Sequence, residues 1–195
     1  MKVNQIYPIH IYEFNTDIAV PLDLDWKERD SGVMNAGPDL HRRGDWEWQD
    51  LTLYFQECLN SIHEHRNFDC SGFKITSMWA NWFRPGTFLR AHRHANSYYS
   101  GVLFLTEDAP LIFYDPVEQR SHGQLEIYTL PKLCDKGFIE NGPHIEKIEA
   151  VPGKVVIFPS WMVHDTAIAQ TDRYSISFNA LPYGKINQLT TLDVL

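Results

Sequence analysis

The sequence is poor in cysteine and has no long apolar run. Cys58, Cys70 and Cys134 are odd in number and share no CxxC spacing, so a disulfide framework is not expected. No apolar run approaches the roughly 20 residues that span a bilayer. The first fifteen residues lack the apolar core and cleavage site of a signal peptide. We therefore predict a cytoplasmic location and no membrane partner.

Basic residues are also scarce. Lys and Arg total 17 against 25 Asp and Glu, which gives a formal net charge of -8. A broad nucleic-acid-binding face needs clustered positive charge, so a nucleic-acid partner is not expected. The chain has no G-x-S-x-G elbow, no P-loop and no G-x-G-x-x-G, which argues against a serine hydrolase and a nucleotide-binding fold. Homodimerisation through the aromatic N-terminal half or an exposed strand edge stays open.

What the sequence does contain predicts a single domain over residues 1–195. The chain is long enough for one buried core, 44% of it is hydrophobic and aromatic residues reach 13%. In the supporting N-terminal part, residues 1–70, we predict a strand over 5–14 and an irregular segment over 21–44. A helix is predicted from about Asp45 to Glu64, where apolar residues recur at helical spacing.

From residue 71 to 195 the texture changes to short β-rich runs divided by turn residues. The runs are 73–83, 97–105, 110–116, 123–130, 144–150, 154–160, 161–168 and 173–181. A parallel α/β fold would need helices between strands, and there is no room for them. The predicted fold is therefore an all-β core, a jelly roll of the double-stranded β-helix or cupin-like kind, with at least one N-terminal α-helix packed on it.

Three histidines of nine attract attention. His92 and His94 form an H-x-H pair at the entrance to a predicted strand, and residues i and i+2 of a strand point to one face. His164 ends an apolar run seventy residues later, and a jelly roll can bring such strands together. Imidazole is the commonest protein ligand for transition metals. The three residues are candidate metal ligands; the competing interpretation is a solvated pair and an ordinary loop histidine.

Arg173 opens the run R-Y-S-I-S-F-N. Tyr174, Ile176 and Phe178 fall on one face of this predicted strand, and Arg173, Ser175, Ser177 and Asn179 fall on the other. The polar face indicates either a solvated edge strand or a lining of the barrel interior. In the second case, Arg173 with the Ser175 hydroxyl would bind a carboxylate through a bidentate pair.

The ordered motifs resemble the Fe(II)/2-oxoglutarate-dependent dioxygenases. Asn81 to Gly86, followed by five residues and His92, is similar to the N-x-Y-x-P-G-x5-H-x-D segment of the AlkB-type demethylases. The pattern also resembles a group of small, uncharacterised bacterial and phage oxygenase-like proteins. It comprises Trp79 to Asn81, Pro85-Gly86, His92 to His94, Ser100 to Val102, Asp115-Pro116, Phe158 to Trp161, His164 and Arg173 to Asn179.

The resemblance implies an oxygenase with Fe(II) and 2-oxoglutarate as cofactors. It implies His92 and His164 as iron ligands, Arg173 and Ser175 as partners of the distal carboxylate of 2-oxoglutarate, and Asn81 as a donor to that cosubstrate. His94 stands where the family carries a carboxylate ligand, and Phe83 stands where the relatives carry a tyrosine. Tyr98, Tyr99 or Tyr114 are candidates to replace that tyrosine.

The activity expected from the resemblance is hydroxylation of a C–H bond in a protein side chain or a small metabolite, with release of succinate and CO2. Two alternatives remain. His94 favours a three-His cupin-type metal dioxygenase that uses no 2-oxoglutarate, and a non-catalytic metal-binding jelly-roll module is the third hypothesis. Arg173 and Ser175 favour the oxygenase.

Overall fold

The computed structural model describes residues 8–29, 32–116, 132–133, 139–141, 145–188 and 190–193. Its strands are β1 (Tyr12–Asn15), β2 (Lys27–Glu28), β3 (Met34–Ala36), β4 (Gly72–Phe83), β5 (Tyr99–Phe104), β6 (Asp108–Tyr114), β7 (Lys132–Leu133), β8 (Ile139–Asn141), β9 (Ile145–Ala150), β10 (Lys154–Pro159), β11 (His164–Thr166), β12 (Arg173–Ile186) and β13 (Thr190–Leu192). One α-helix, α1 (Trp46–Arg66), and a 3-10 turn at Leu40–Arg42 precede β4.

The predicted helix is present and ends two residues later than expected. Asp45 occupies the N-cap position but makes no side-chain cap; its carboxylate pairs with Arg43 instead. Asn67 ends the helix in the left-handed conformation, which asparagine tolerates better than most residues. The buried positions recur every three or four residues: Trp48, Leu51, Phe55, Cys58, Leu59 and Ile62. That spacing forms one apolar stripe, which faces the sheet.

The larger sheet follows the order β1-β10-β5-β12-β4-β3-β2, and β13 pairs with β12. All pairings in it are antiparallel. α1 covers one face of this sheet, where the Phe55 and Phe178 rings stack with centroids 4.5 Å apart. Gly101 lies opposite Phe178 in the register, and a Cβ there would come within 2.3 Å of the Phe178 ring. A glycine is therefore required for this close packing.

A smaller sheet, β11-β6-β9, packs against the other face of the larger sheet. Residues of both sheets form a second core: Val102, Phe104, Leu111, Phe113, Ile148, Ala150, Val156, Phe158 and Met162. Two antiparallel sheets that enclose a core between them agree with the jelly roll predicted from the sequence. The helix on the outer face of the larger sheet is the predicted N-terminal helix.

The N-terminal part contributes more strand than the sequence indicates. Within the described residues, the opening strand covers Tyr12–Asn15, whereas the segment 21–44 contains β2, β3 and the 3-10 turn. β1 and β3 extend the larger sheet by pairing with β10 and β4. The predicted run 123–130 lies outside the described residues, and so do Cys134, His122 and His144. Among the described residues, no helix is long and apolar enough to cross a membrane.

Candidate metal and cosubstrate site

The polar face of β12 lines a pocket between the sheets. β12 lies between β5 and β4, so it is a central strand and not a solvated edge. Strand alternation sends Ile176 and Phe178 towards α1 and sends Arg173, Ser175 and Ser177 into the pocket. Asn81 reaches the same pocket from β4, because Asn81 and Ser175 are register partners. His92, His94 and His164 line the pocket as well, so all six site residues predicted from the sequence surround it.

His92 and His164 are brought together by their backbones. The His92 N–H donates to the His164 carbonyl and the His164 N–H donates to the His92 carbonyl, both at 2.9 Å. Residues that exchange both hydrogen bonds in an antiparallel pair have side chains on one face, which explains the ring-centroid distance of 4.4 Å. The strand geometry predicted for His92 and His94 is not observed. β5 begins only at Tyr99, and the segment with the two histidines makes a single bridge.

His94 completes the cluster through a backbone hydrogen bond and aromatic stacking. Its N–H donates to the Ser160 carbonyl at 3.0 Å. Its ring stacks on Trp79 and is nearly parallel to the His164 ring, at an interplanar angle of 4°. The nitrogen ligand atoms of the three histidines all lie within 4.8 Å of one another. Small ring rotations would bring them to the separation of about 3 Å expected of neighbouring ligands that bind a metal at 2.0–2.1 Å.

The protonation state of the cluster suits a metal. His92 Nδ1 contacts the Arg90 carbonyl at 2.8 Å, and His164 Nδ1 contacts the Met162 carbonyl at 2.9 Å. A carbonyl only accepts, so each Nδ1 carries a hydrogen and Nε2 is the nitrogen available to a metal. Burial is the main cause that lowers the pKa of His94 to about 4, and the neighbouring His92 is a smaller cause. Burial also lowers the pKa of His164 to about 3. Neutral imidazole is the form that binds a metal.

The donor set fits Fe(II) or another transition metal that accepts imidazole. Three neutral nitrogen donors on one side leave positions on the other side open, the arrangement of catalytic rather than structural centres. Within the described part of the chain, this cluster contains no carboxylate. Asp165 follows His164 directly, but its carboxylate accepts a hydrogen bond from the Tyr114 hydroxyl.

Arg173 lies deeper in the same pocket. The residue is 1% exposed, yet its Nε and Nη1 atoms are buried without a hydrogen-bond partner. Its guanidinium lies 4.6 Å from the centroid of the Phe83 ring and 5.5 Å from that of Phe104, so cation–π contacts hold it in place. Burial lowers its pKa to about 10, which keeps it charged at neutral pH. Unpaired guanidinium donors in an apolar pocket fit a carboxylate ligand.

Asn81 connects the strands around the pocket through its amide. Its Nδ2 donates to the hydroxyls of Ser175 at 3.3 Å and Ser177 at 3.0 Å. Its Oδ1 accepts from Asn35 at 2.6 Å and from Trp79 at 3.1 Å. Both amide hydrogens are thus engaged by serines, so a bond to a cosubstrate would have to replace one of them. Ser175 accepts from Asn81, so this contact does not use its hydroxyl hydrogen, which can be donated to a ligand.

The tyrosines considered as replacements at Phe83 lie elsewhere. Tyr98 is 44% exposed, and Tyr99 is buried in the core under α1. Tyr114 donates to Asp165 and does not line the pocket. Phe83 itself lines the pocket and packs on Arg173. Among the described residues, no tyrosine replaces the contact expected of the relatives.

Sequence reasoning missed two contributors to this site. Asn35 lies in the segment interpreted as irregular, and no motif there indicates that β3 would bring it against Asn81. Thr166 lines the pocket, and its hydroxyl accepts from the Leu89 N–H at 2.9 Å. The alternation along β11, with His164 and Thr166 on one face, is the signal that could have identified Thr166. Trp161, three residues before His164, is 50% exposed and does not line the pocket.

The fold and this cluster define a jelly-roll protein with a site suited to a metal and a carboxylate. Residues 77–179 match the family model described as "Putative 2OG-Fe(II) oxygenase". The match spans more than half of the chain, so the protein belongs to the 2OG-Fe(II) oxygenase family, whose cofactors are Fe(II) and 2-oxoglutarate. No curated protein matches the chain.

Solved structures share the fold at low sequence identity. A prolyl-4-hydroxylase from Pseudomonas putida is 16% identical, with a TM-score of 0.52 over 79% of this chain and 76% of that chain. HygX from Streptomyces hygroscopicus, with nickel and 2-oxoglutarate bound, is 14% identical, with a TM-score of 0.55 over 82% and 74%. The epimerase SnoN from nogalamycin biosynthesis is 10% identical, with a TM-score of 0.57 over 88% and 77%.

Proposed function

We propose that this protein is an oxygenase in which His92, His94 and His164 hold Fe(II) and Arg173 holds 2-oxoglutarate. The observation that carries the proposal is the unpaired guanidinium of Arg173 in the pocket that the three imidazoles also line. A dicarboxylate has two ends, so one end could bind a metal held by the imidazoles while the other pairs with Arg173. Arg173 would pair with the distal carboxylate, and the Ser175 hydroxyl hydrogen would point to the same group.

The reaction we propose is hydroxylation of a C–H bond in a protein side chain or a small metabolite. The bound Fe(II) would supply O2 activation, coupled to decarboxylation of 2-oxoglutarate to succinate and CO2. The chain's own contribution is orientation. The Arg90 and Met162 carbonyls accept from Nδ1 of His92 and His164, which leaves Nε2 as the nitrogen that would face the metal. The rings of Phe83, Phe104 and Phe158 exclude water around the cosubstrate, which strengthens the pairing of its carboxylate with Arg173.

A three-His metal dioxygenase without 2-oxoglutarate is the second candidate. It is favoured by the absence of a carboxylate from the cluster in the described residues. It leaves the buried charge of Arg173 without a partner, which is why we place it second. The finer resemblance to the small bacterial and phage group, the cytoplasmic location, the single-domain organisation and a homodimer stay predictions.

The test is an anaerobic titration of the protein with Fe(II) and then 2-oxoglutarate, followed through the visible metal-to-ligand charge-transfer band. We expect a band that saturates in the natural protein and weakens at least about 100-fold in apparent affinity in Arg173→Ala, because an ionic bidentate pair is lost. Arg42→Ala is the matched control, since Arg42 is exposed outside the pocket. Iron binding without a band would favour the second candidate, and no iron binding would favour a non-catalytic module.

A further inference from the structure

A second, wider cavity opens beside the three histidines. It has a volume of about 730 Å³ and shares Trp79, Asn81, Leu89, His92 and His94 with the inner pocket. Its size falls within the range of cavities that take a small molecule. A molecule seated there would contact the open side of the histidine cluster. This cavity is therefore the substrate side of the proposed oxygenase.

The charged residues lining this cavity carry one sign only. They are Arg29, Arg90 and Arg93, and no Asp or Glu lines the cavity within the described chain. This is unexpected for a protein with a net charge of -8. All three arginines are exposed, and none pairs with a carboxylate among the described residues. Some other basic residues do have carboxylate partners: Lys27 pairs with Asp25, Arg84 with Glu28 and Lys154 with Glu13.

Two of these arginines are held beside the proposed metal ligands by the backbone. The Arg90 carbonyl contacts His92 Nδ1, and Arg93 lies between His92 and His94 in the chain. Arg29 comes from the opposite side, where its N–H donates to the Val33 carbonyl next to β3. Positive charge thus reaches the cavity from two segments distant in sequence. The remaining wall is apolar or neutral and includes Trp79, Leu89 and Pro38.

We infer that the substrate is a small molecule that carries a carboxylate or phosphate, seated among Arg29, Arg90 and Arg93. Guanidinium groups match both anions in geometry and charge. Several like charges around one concave wall also raise the local concentration of an anionic ligand. The apolar wall would contact the body of the molecule, whose C–H bond then faces His92 and His94. This inference rests on the proposed function.

The experiment measures binding by calorimetry with benzoate and phenyl phosphate as anionic probes and benzamide as the neutral counterpart. We expect both anions to bind, their affinity to fall as ionic strength rises, and benzamide to bind at least 10-fold more weakly. The Arg90→Gln/Arg93→Gln protein should bind both anions at least 10-fold more weakly. Arg42→Gln should bind them as the natural protein does, since it removes a comparable exposed charge elsewhere.

Several results would overturn the inference. Equal binding of anions by the natural protein and the double variant would do so, as would no anion binding at all. Anion binding lost in Arg173→Met but kept in the double variant would place the probes in the inner pocket. A glutamate-rich pentapeptide binding more than 10-fold tighter than benzoate would make the occupant an acidic peptide instead.

The charge-transfer titration separates this inference from the proposed function. If the natural protein binds the anions but shows no band with Fe(II) and 2-oxoglutarate, the anion-binding cavity is supported and the oxygenase proposal is contradicted. A double variant that loses the band as well would show that Arg90 and Arg93 maintain the metal site, and would overturn their role towards the substrate.

Discussion

The two faces of the larger sheet differ in what they bury. The face under α1 buries apolar groups in close contact, with Phe55 and Phe178 both at 0% exposure. The face towards the smaller sheet buries Asn81, Arg173 and Ser175, all at 3% exposure or less. In β12 the two environments alternate residue by residue, so Ile176 belongs to one and its neighbour Ser175 to the other. The face under α1 is an apolar packing surface, whereas the other face combines the second apolar core with the binding groups.

The binding groups are maintained at a cost in stability. A buried guanidinium whose Nε and Nη1 lack partners has lost its hydration without replacement. Such a group is tolerated only if the rest of the molecule is stable enough, and the apolar face under α1 provides that stability. Substitutions on the two faces should therefore have opposite signatures in stability and in binding.

The largest effect is expected from removing a proposed metal ligand. His164→Ala takes away one of three imidazoles and the backbone-oriented Nε2 that faces the others, so stoichiometric Fe(II) binding should be lost. His92→Ala should behave in the same way. The measurement is anaerobic equilibrium dialysis with metal analysis. His65→Ala, an exposed histidine on α1, is the control and should bind as the natural protein does; full iron content in His164→Ala would disprove the site.

On the opposite face, Phe55→Ala should lower the free energy of unfolding by about 3–5 kcal/mol. The reason is the loss of a fully buried ring stacked on Phe178 and the cavity left behind. Chemical denaturation followed by circular dichroism measures this. Leu53→Ala, on the same helix but 62% exposed, should change stability by less than about 0.5 kcal/mol. Comparable losses in the two variants would contradict the packing described for α1.

Arg173→Met reverses the pattern of Phe55→Ala. Without ligands, its free energy of unfolding should equal that of the natural protein or exceed it by about 1 kcal/mol, because a buried charge without partners is replaced by an apolar chain. Its 2-oxoglutarate affinity should fall at least about 100-fold in the charge-transfer titration. A variant that loses stability by several kcal/mol would indicate that Arg173 is a structural residue with partners, and would weaken its assignment to the cosubstrate.

The smallest effect is expected from His94→Asp. His94→Asp supplies a carboxylate where the family carries one, so Fe(II) affinity should stay within about 10-fold of the natural protein. His94→Ala should weaken binding much more, because it supplies no donor. Both are measured by competition with a chromogenic chelator. Equal affinities of the Ala and Asp variants would mean that His94 is not a ligand but only a stacking partner of Trp79.

Much of the fold and the membership of the candidate site could be predicted from residue order. The apolar spacing from Trp48 to Ile62 indicates a helix, because only a helix brings residues three and four apart onto one face. The alternation along β12 correctly separates Ile176 and Phe178, which face α1, from Arg173, Ser175 and Ser177, which face the pocket. The resemblance adds the family, which the match over residues 77–179 bears out.

Other features could not be predicted because they depend on pairing between distant segments. The H-x-H segment was expected on a strand, but it is irregular and is fixed by one bridge to His164. One hydrogen bond to the Asn81 amide comes from Asn35, which β3 brings from the segment interpreted as irregular. The arginines of the outer cavity come from residues 29, 90 and 93, which share no motif.

The order of residues is enough to indicate the periodicities, the residue types available to a metal and a carboxylate, and the motifs that mark the family. These are local properties, since strand and helix geometry dictate which neighbours share a face. Which side chains meet depends on the folded chain. Strand register sets Asn81 against Ser175 and His92 against His164, and the packing of two sheets leaves Nε and Nη1 of Arg173 without a hydrogen-bond partner beside them. Those contacts arise from long-range pairing, which no short stretch of the chain encodes.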